Sequence, residues 1–252
     1  MERARIIAPL LVAVCVLCTW IIVTELGIIG AYALPKPGLV WDRLISGLAD
    51  GYLIHSTWQT LSSAFYGAFL ALIVGIPVGF GIAHFKPFSA AIEPYLAASQ
   101  AIPAVAFAPL MVLWVGYGTP PIVLLCALMV VFPIVINTAV GVRDIDRDLI
   151  AAARLDGAGG FILLTQVEFP LALPNILAGI RTGFTLSVTG AVVGELVIGG
   201  ERGLGTELTT AQHLNDSAGM FATIVVLAVI AVGIYLLLRA IETRLIRTVS
   251  GK

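Results

Sequence analysis

The side chains with chemical capacity in this sequence are few, and they stand inside long apolar runs. Gln100, Asn137 and Glu195, with Ser99, Thr185, Ser187 and Thr189, are the polar residues of those runs. Amides, hydroxyls and a single carboxylate at such positions suit the lining of a solute path, and an ionisable group in a membrane segment is a functional candidate by default. They do not compose an active site. No H-E-x-x-H, no G-x-x-x-x-G-K-[ST] phosphate loop and no Ser/His or paired-Asp constellation occurs. His55, His84 and His213 are dispersed, and Cys15, Cys18 and Cys126 lie in apolar stretches as small core or lipid-facing residues. The chain reads as non-catalytic, with no metal or cofactor of its own.

The elements that position these residues follow from composition. Of 252 residues, 59% are hydrophobic and only 12% are charged. Soluble domains carry about 45–50% apolar and about 25% charged residues, so too few charges are present to coat a water-soluble domain of this size. Disorder requires the opposite balance, and a net charge of −1 offers no electrostatic footprint for nucleic acid. The fold class is an all-α polytopic membrane protein. Spanning helices need roughly 20 mostly apolar residues, and six segments qualify: 6–29, 61–83, 95–115, 121–140, 176–198 and 218–238. Barrel strands are shorter and alternate in polarity. The first apolar run exceeds the roughly 7–15 residues of a signal-peptide core. No linker or composition break divides the chain, which reads as one membrane domain over 1–252.

Orientation follows Lys and Arg. With the N-terminus inside and six crossings, eleven of the 14 basic residues are cytoplasmic: Arg3, Arg5, Lys86, Arg143, Arg147, Arg154, Arg181, Arg239, Arg244, Arg247 and Lys252. Lys36, Arg43 and Arg202 face outward. Both termini are therefore expected in the cytoplasm. Pro77, Pro103, Pro109 and Pro133 predict kinked or broken helices, a feature of transport pathways. Gly67, Ala71, Gly75 and Gly79 form a four-residue repeat suited to close helix packing, within the subunit or across a dimer. Outside, Leu39, Val40, Trp41, Leu44 and Leu48 fall in a short amphipathic helix suited to the membrane surface.

The longest cytoplasmic stretch, 141–173, predicts a short helix over 143–156, a glycine bend at Gly157, Gly159 and Gly160, and a second short apolar helix over 161–167 that re-enters the membrane. Such a loop is a candidate docking platform for a cytoplasmic partner. It resembles the coupling-loop signature of bacterial ABC importer permeases: E-A-A, three residues, G, nine residues, I-x-L-P. The matching positions are Ala151-Ala152-Ala153, Gly157, Val167, Phe169 and Pro170. Ala151 replaces the signature glutamate, and Asp148 stands one turn earlier. Gly75-Ile76-Pro77-Val78-Gly79, Ile102-Pro103, Ala108-Pro109-Leu110, Trp114–Gly118, Phe132-Pro133-Ile134, Gly179-Ile180-Arg181, Glu195 and Gly203-Leu204-Gly205 are similar to the nitrate/sulfonate/taurine-like branch. Ser63 departs from the arginine of many relatives.

The resemblance implies a type I ABC importer transmembrane domain. Two permease chains, identical or paralogous, would surround a central path in the bacterial inner membrane. Two ABC ATPases, carrying ATP and magnesium, would dock on Asp148, Ala151, Ala152, Ala153, Arg154 and Gly157 and act through Val167, Phe169 and Pro170. An extracytoplasmic solute-binding protein or lipoprotein would deliver the cargo, either a sulfonate-, nitrate- or taurine-like anion or a vitamin precursor such as a pyrimidine or flavin. The expected path residues are Gln100, Pro103, Asn137, Thr185, Thr189 and Glu195. An ion- or proton-coupled secondary carrier is the alternative, weakened by a single membrane acid with no acid–histidine relay.

Overall fold

The computed structural model describes the backbone of residues 2–249 and the side chains of 11–244 apart from 13, 97 and 100. The side chains of Arg3, Arg5, Gln100 and Arg247, and the whole of Lys252, lie outside the described residues. Among the described residues the chain forms helices and no strand. In order these are α1 (Glu2–Glu25), α2 (Pro37–Ala49), α3 (Tyr52–His84), α4 (Lys86–Ala101), α5 (Ala108–Val115) and α6 (Thr119–Arg143). Then come α7 (Arg147–Leu155), α8 (Gly160–Leu163), α9 (Phe169–Ile198), α10 (Leu204–His213) and α11 (Ser217–Val249). Helices α3, α6, α11 and the α8–α9 run are long and apolar enough to cross a membrane. At 1.5 Å per residue, the 33 residues of α3 rise about 50 Å, against a hydrocarbon core of about 30 Å.

The segment 95–115 is not one continuous span. Helix α4 stops at Ala101, and Ile102 takes an extended conformation, φ −93° and ψ 120°, as the residue before Pro103 is pushed to do. A 3₁₀ turn, Ala104–Phe107, then leads into the eight residues of α5, with Pro109 in its first turn, where a missing N–H costs nothing. Pro77 and Pro133, by contrast, lie within unbroken helices. The fifth span also begins well before residue 176. The expected second short helix of the loop is α8, and it runs through a π turn, Leu164–Glu168, directly into α9. Pro170 has no N–H and its ring crowds the carbonyl four residues back. A widened turn ahead of it relieves that clash without ending the helix.

Helix α6 is the centre of the bundle, gripped on two sides by faces of small residues. On α3, a Cβ built at Gly67 would collide with Cys126, one at Gly75 would lie 2.8 Å from Ile134 Cγ2, and one at Gly79 would lie 2.5 Å from Thr138 Cβ. The Gly67–Gly79 stripe therefore packs inside the subunit. On α9, Gly179, Gly183 and Gly190 bear in the same way on Asn137, Val130 and Met129 of α6. Backbones approach this closely only where side chains are absent, and dispersion between them replaces the hydrophobic drive that lipid cannot supply. Helix α11 is peripheral and mostly exposed. It is tied to α9 by Arg181, whose Nη1 lies 2.7 Å from Glu242 Oε2 and whose guanidinium sits over the Tyr235 ring. Helix α2 turns Val40 inward and leaves Leu39, Trp41 and Leu48 exposed. Arg43 pairs with Asp216 at the start of α11.

Gly67→Val should lower the melting temperature of the purified protein, since overpacking a close helix contact costs about 1–3 kcal/mol. Gly38→Ala, with open space around the new methyl, should leave it unchanged. Equal melting of the two variants would contradict the α3–α6 packing.

Candidate functional site

The loop between α6 and α9 is held at both ends. Arg143, the last residue of α6, donates through Nη2 to Ile82 O at 3.1 Å and Ser89 Oγ at 2.6 Å, and pairs with Glu93 at 3.1 Å. One guanidinium thus joins the end of α3 to the start of α4. The Asp146 carboxylate accepts the Asp148 N–H at 2.9 Å and caps α7. Gly157, at φ +91°, turns the chain out of α7, a conformation that costs an L-residue about 1–2 kcal/mol. On the return side, Glu168 is only 6% exposed and its Oε2 lies 2.9 Å from His84 Nε2. The contact is an ion pair when the imidazole is protonated. The His84 Nδ1 faces Phe80 O at 2.9 Å, and the Phe80 ring stacks on Phe169.

Between these anchors α7 has no buried residue. Asp148, Ala151, Ala152, Arg154 and Gly157 are exposed and Ala153 is half-buried, as are Val167 and Pro170 in the return segment. Large apolar side chains stand in the open on the same loop: Leu155 is 89% exposed and Phe161 79%. Sequence reasoning passed over Glu168 and His84. A lone glutamate in an apolar turn was the available signal, but its partner lies 84 positions away.

A second feature forms where the α4–α5 chain breaks. A cavity of about 560 Å³ is lined by Ser99, Pro103 and Ala104 from the break, Phe132, Pro133 and Asn137 from α6, and Leu186 from α9. Asn137 Nδ2 donates to Pro133 O at 2.8 Å, and its Oδ1 accepts no hydrogen bond among the described residues. The structure thus brings Pro103 and Asn137 together. Thr189 is exposed and one turn beyond Leu186 on the same face of α9, whereas Thr185 is half-buried and bonds to Arg181 O.

Glu195 is not brought to that cavity. It is 1% exposed near the other end of α9, accepting from Thr60 Oγ1 at 2.8 Å and from Gly205 N–H at 2.8 Å. Leu204 N–H in turn donates to Thr60 Oγ1 at 2.9 Å. Gly203 and Gly205 press against the carboxylate so closely that a Cβ at either would collide with it or its stem. The Gly203-Leu204-Gly205 turn is therefore seated around Glu195, which locks α10 to α3 and α9. Cys15 and Cys18, three positions apart in a C-x-x-C spacing, are exposed on α1, and no group of three metal-ligating side chains occurs among the described residues.

Glu195→Ala should destabilise the protein by about 1–3 kcal/mol for each buried donor left unpaired. Glu195→Gln, which keeps one acceptor oxygen, should lose less, and Thr189→Ala should lose nothing measurable. Thermal melts in detergent check the order, and an alanine variant as stable as the parent would contradict the lock.

The family described as "Binding-protein-dependent transport system inner membrane component" matches residues 53–247. The riboflavin transport system permease protein RibX of Chloroflexus aurantiacus is 44% identical over 217 residues, covering 86% of this chain and 81% of RibX. The putative aliphatic sulfonates transport permease protein SsuC of Bacillus subtilis is 31% identical over 242 residues, covering 94% of this chain and 86% of SsuC. A chain of the MetNI methionine ABC transporter, solved in an inward-facing conformation, superposes with a TM-score of 0.69 at 21% identity, over 79% of this chain and 96% of that one. With helices and no strand among the described residues, four of them long and apolar enough to cross a membrane, the chain belongs to the binding-protein-dependent transport system inner membrane components and is a multi-pass permease subunit of the ABC importer type.

Proposed function

We propose that this chain forms, with a second permease chain, the membrane path of an importer driven by two separate ATPases docked on α7. The observation that carries the reading is the loop itself: the capped α7 ends on bare Leu155, α8 presents bare Phe161 beyond the glycine bend, and the loop is held at both ends. Large apolar side chains gathered on a charged loop mark a surface that is covered in the working assembly. The basic residues Lys86, Arg143, Arg147 and Arg154 cluster at the same end, which supports a cytoplasmic loop and cytoplasmic termini. ATP and magnesium belong to the partner, since the chain has no phosphate loop. The Glu195 end then faces the solute-binding protein.

Motion at α7 has two routes into the membrane. The α8–α9 run is continuous through the π turn, so a shift of the loop tilts α9 directly. The His84–Glu168 pair and the Phe80–Phe169 stack carry the same shift into α3. ATP binding would draw the two loops together and open the path outward, and hydrolysis would reset it.

The solute path is proposed at the cavity of Pro103 and Asn137, continued by Thr189. Its described lining holds Phe132, Met129 and the Asn137 amide but no Lys or Arg. That chemistry supports a neutral heterocycle over a sulfonate, since a planar ring is recognised by aromatic contact and a few amide bonds. The identity with RibX supports a flavin-like cargo.

Leu155→Asp should weaken co-purification of the ATPase by at least about 30-fold, the size of an interface hot spot of 2 kcal/mol, without shifting the melt of the permease. Gly157→Asp should abolish ATP-driven uptake while the membrane domain still folds. Retention of the ATPase by the first variant, or uptake by the second, would refute the docking assignment.

A further inference from the structure

Two cavities meet at the loop end of the bundle. The first, of about 740 Å³, lies between the end of α3, the start of α4 and one face of α7. Arg147, Ile150, Ala151 and Arg154 line it at i, i+3, i+4 and i+7, which places all four on the same side of the helix. Lys86, in the first turn of α4, lines it from across the gap. Both carboxylates on the lining are engaged, Glu93 by Arg143 and Glu168 by His84. Lys86, Arg147 and Arg154 have no carboxylate within ion-pair distance among the described residues. Three like charges around one hollow repel, and an anion placed among them reverses the sign of that interaction.

The second cavity, of about 620 Å³, runs between α3 and the α8–π turn segment. Its lining is largely apolar, with Ile76, Pro77, Phe80, Leu164 and Phe169. It shares His84, Arg154 and Glu168 with the first, so the two are contiguous. Ile76 precedes His84 by eight residues, which takes the groove about 12 Å along α3 into its membrane-spanning part. A positively charged hollow continuous with an apolar groove fits a single molecule that carries both halves. A free phosphate would not use the groove, and a neutral lipid would not use the cations.

We infer that this paired site binds an anionic phospholipid, its phosphate among Lys86, Arg147 and Arg154 and an acyl chain against Ile76, Pro77 and Phe80. The lipid bridges α7 to the membrane-spanning α3 and steadies the loop at the bilayer surface, where anionic headgroups attract basic side chains. The site shares Ala151 and Arg154 with the proposed docking residues, so its test rests on Lys86 and Arg147, which are not among them.

Native mass spectrometry of the detergent-purified chain, titrated with phosphatidylglycerol, phosphatidylcholine or glycerol phosphate, tests it. Phosphatidylglycerol should bind more tightly than phosphatidylcholine. The double variant Lys86→Gln, Arg147→Gln should bind it about 30-fold more weakly, each charge contributing about fivefold. Both residues are exposed, so the variant should melt with the parent. If it does not fold, the comparison of the two lipids on the unmodified chain decides. Equal binding of the two lipids, or an unaltered affinity in a folded double variant, overturns the inference. Displacement of phosphatidylglycerol by glycerol phosphate as readily as by a second phosphatidylglycerol overturns it too, in favour of a free anion.

Discussion

The structure depends on how closely α6 is approached from two sides. Gly67, Gly75 and Gly79 of α3 and Gly179, Gly183 and Gly190 of α9 leave no room for a Cβ against α6. In lipid this contact must be made by dispersion alone, so it succeeds only if the backbones come within reach of each other. Such an interface is stiff. A displacement at one end of α9 is passed along the helix and into α6 instead of being absorbed by loose side chains. The glycine faces thus make a three-helix body, and the more exposed α1, α2 and α11 are arranged around it.

Polar chemistry is confined to the two ends and one break. At one end Glu195 is held by Thr60 and the Gly203–Gly205 turn, which fixes α10 to α3 and α9. At the other, Arg143 and the His84–Glu168 pair clamp the loop to α3 and α4. Between them regular helix is breached at Ile102–Pro103, and there a cavity opens onto Asn137. This is where a backbone freed from helix is tolerated in a membrane protein, because it borders a space that water or solute can enter. Rigid ends and a soft middle suit a path that must open by tilting helices.

Much of this was legible in the residues. Composition and run length specified the helical membrane class, and the Gly67–Gly79 repeat specified a close-packed face. The glycines after α7 marked the end of that helix. The 95–115 run was harder: hydropathy sums over a window and does not register that Pro103 denies Ile102 the helical region. The 161–167 segment read as a separate helix because glycine bends were visible and a π turn has no comparable sequence signal. Glu195, an acid in an apolar run, read either as a path residue or as a structural hydrogen-bonding group, but its partners Thr60 and Gly205, 135 and 10 positions away, were not readable. The pairing of His84 with Glu168 was unreadable for the same reason.

The most direct measurement is flavin uptake by proteoliposomes that hold this chain together with its co-purified ATPase and solute-binding protein. The account predicts uptake that requires ATP and hydrolysis-competent ATPase, and none when this chain is reconstituted alone with an ion or proton gradient. Uptake by the chain alone on such a gradient would contradict it and make the protein a secondary carrier.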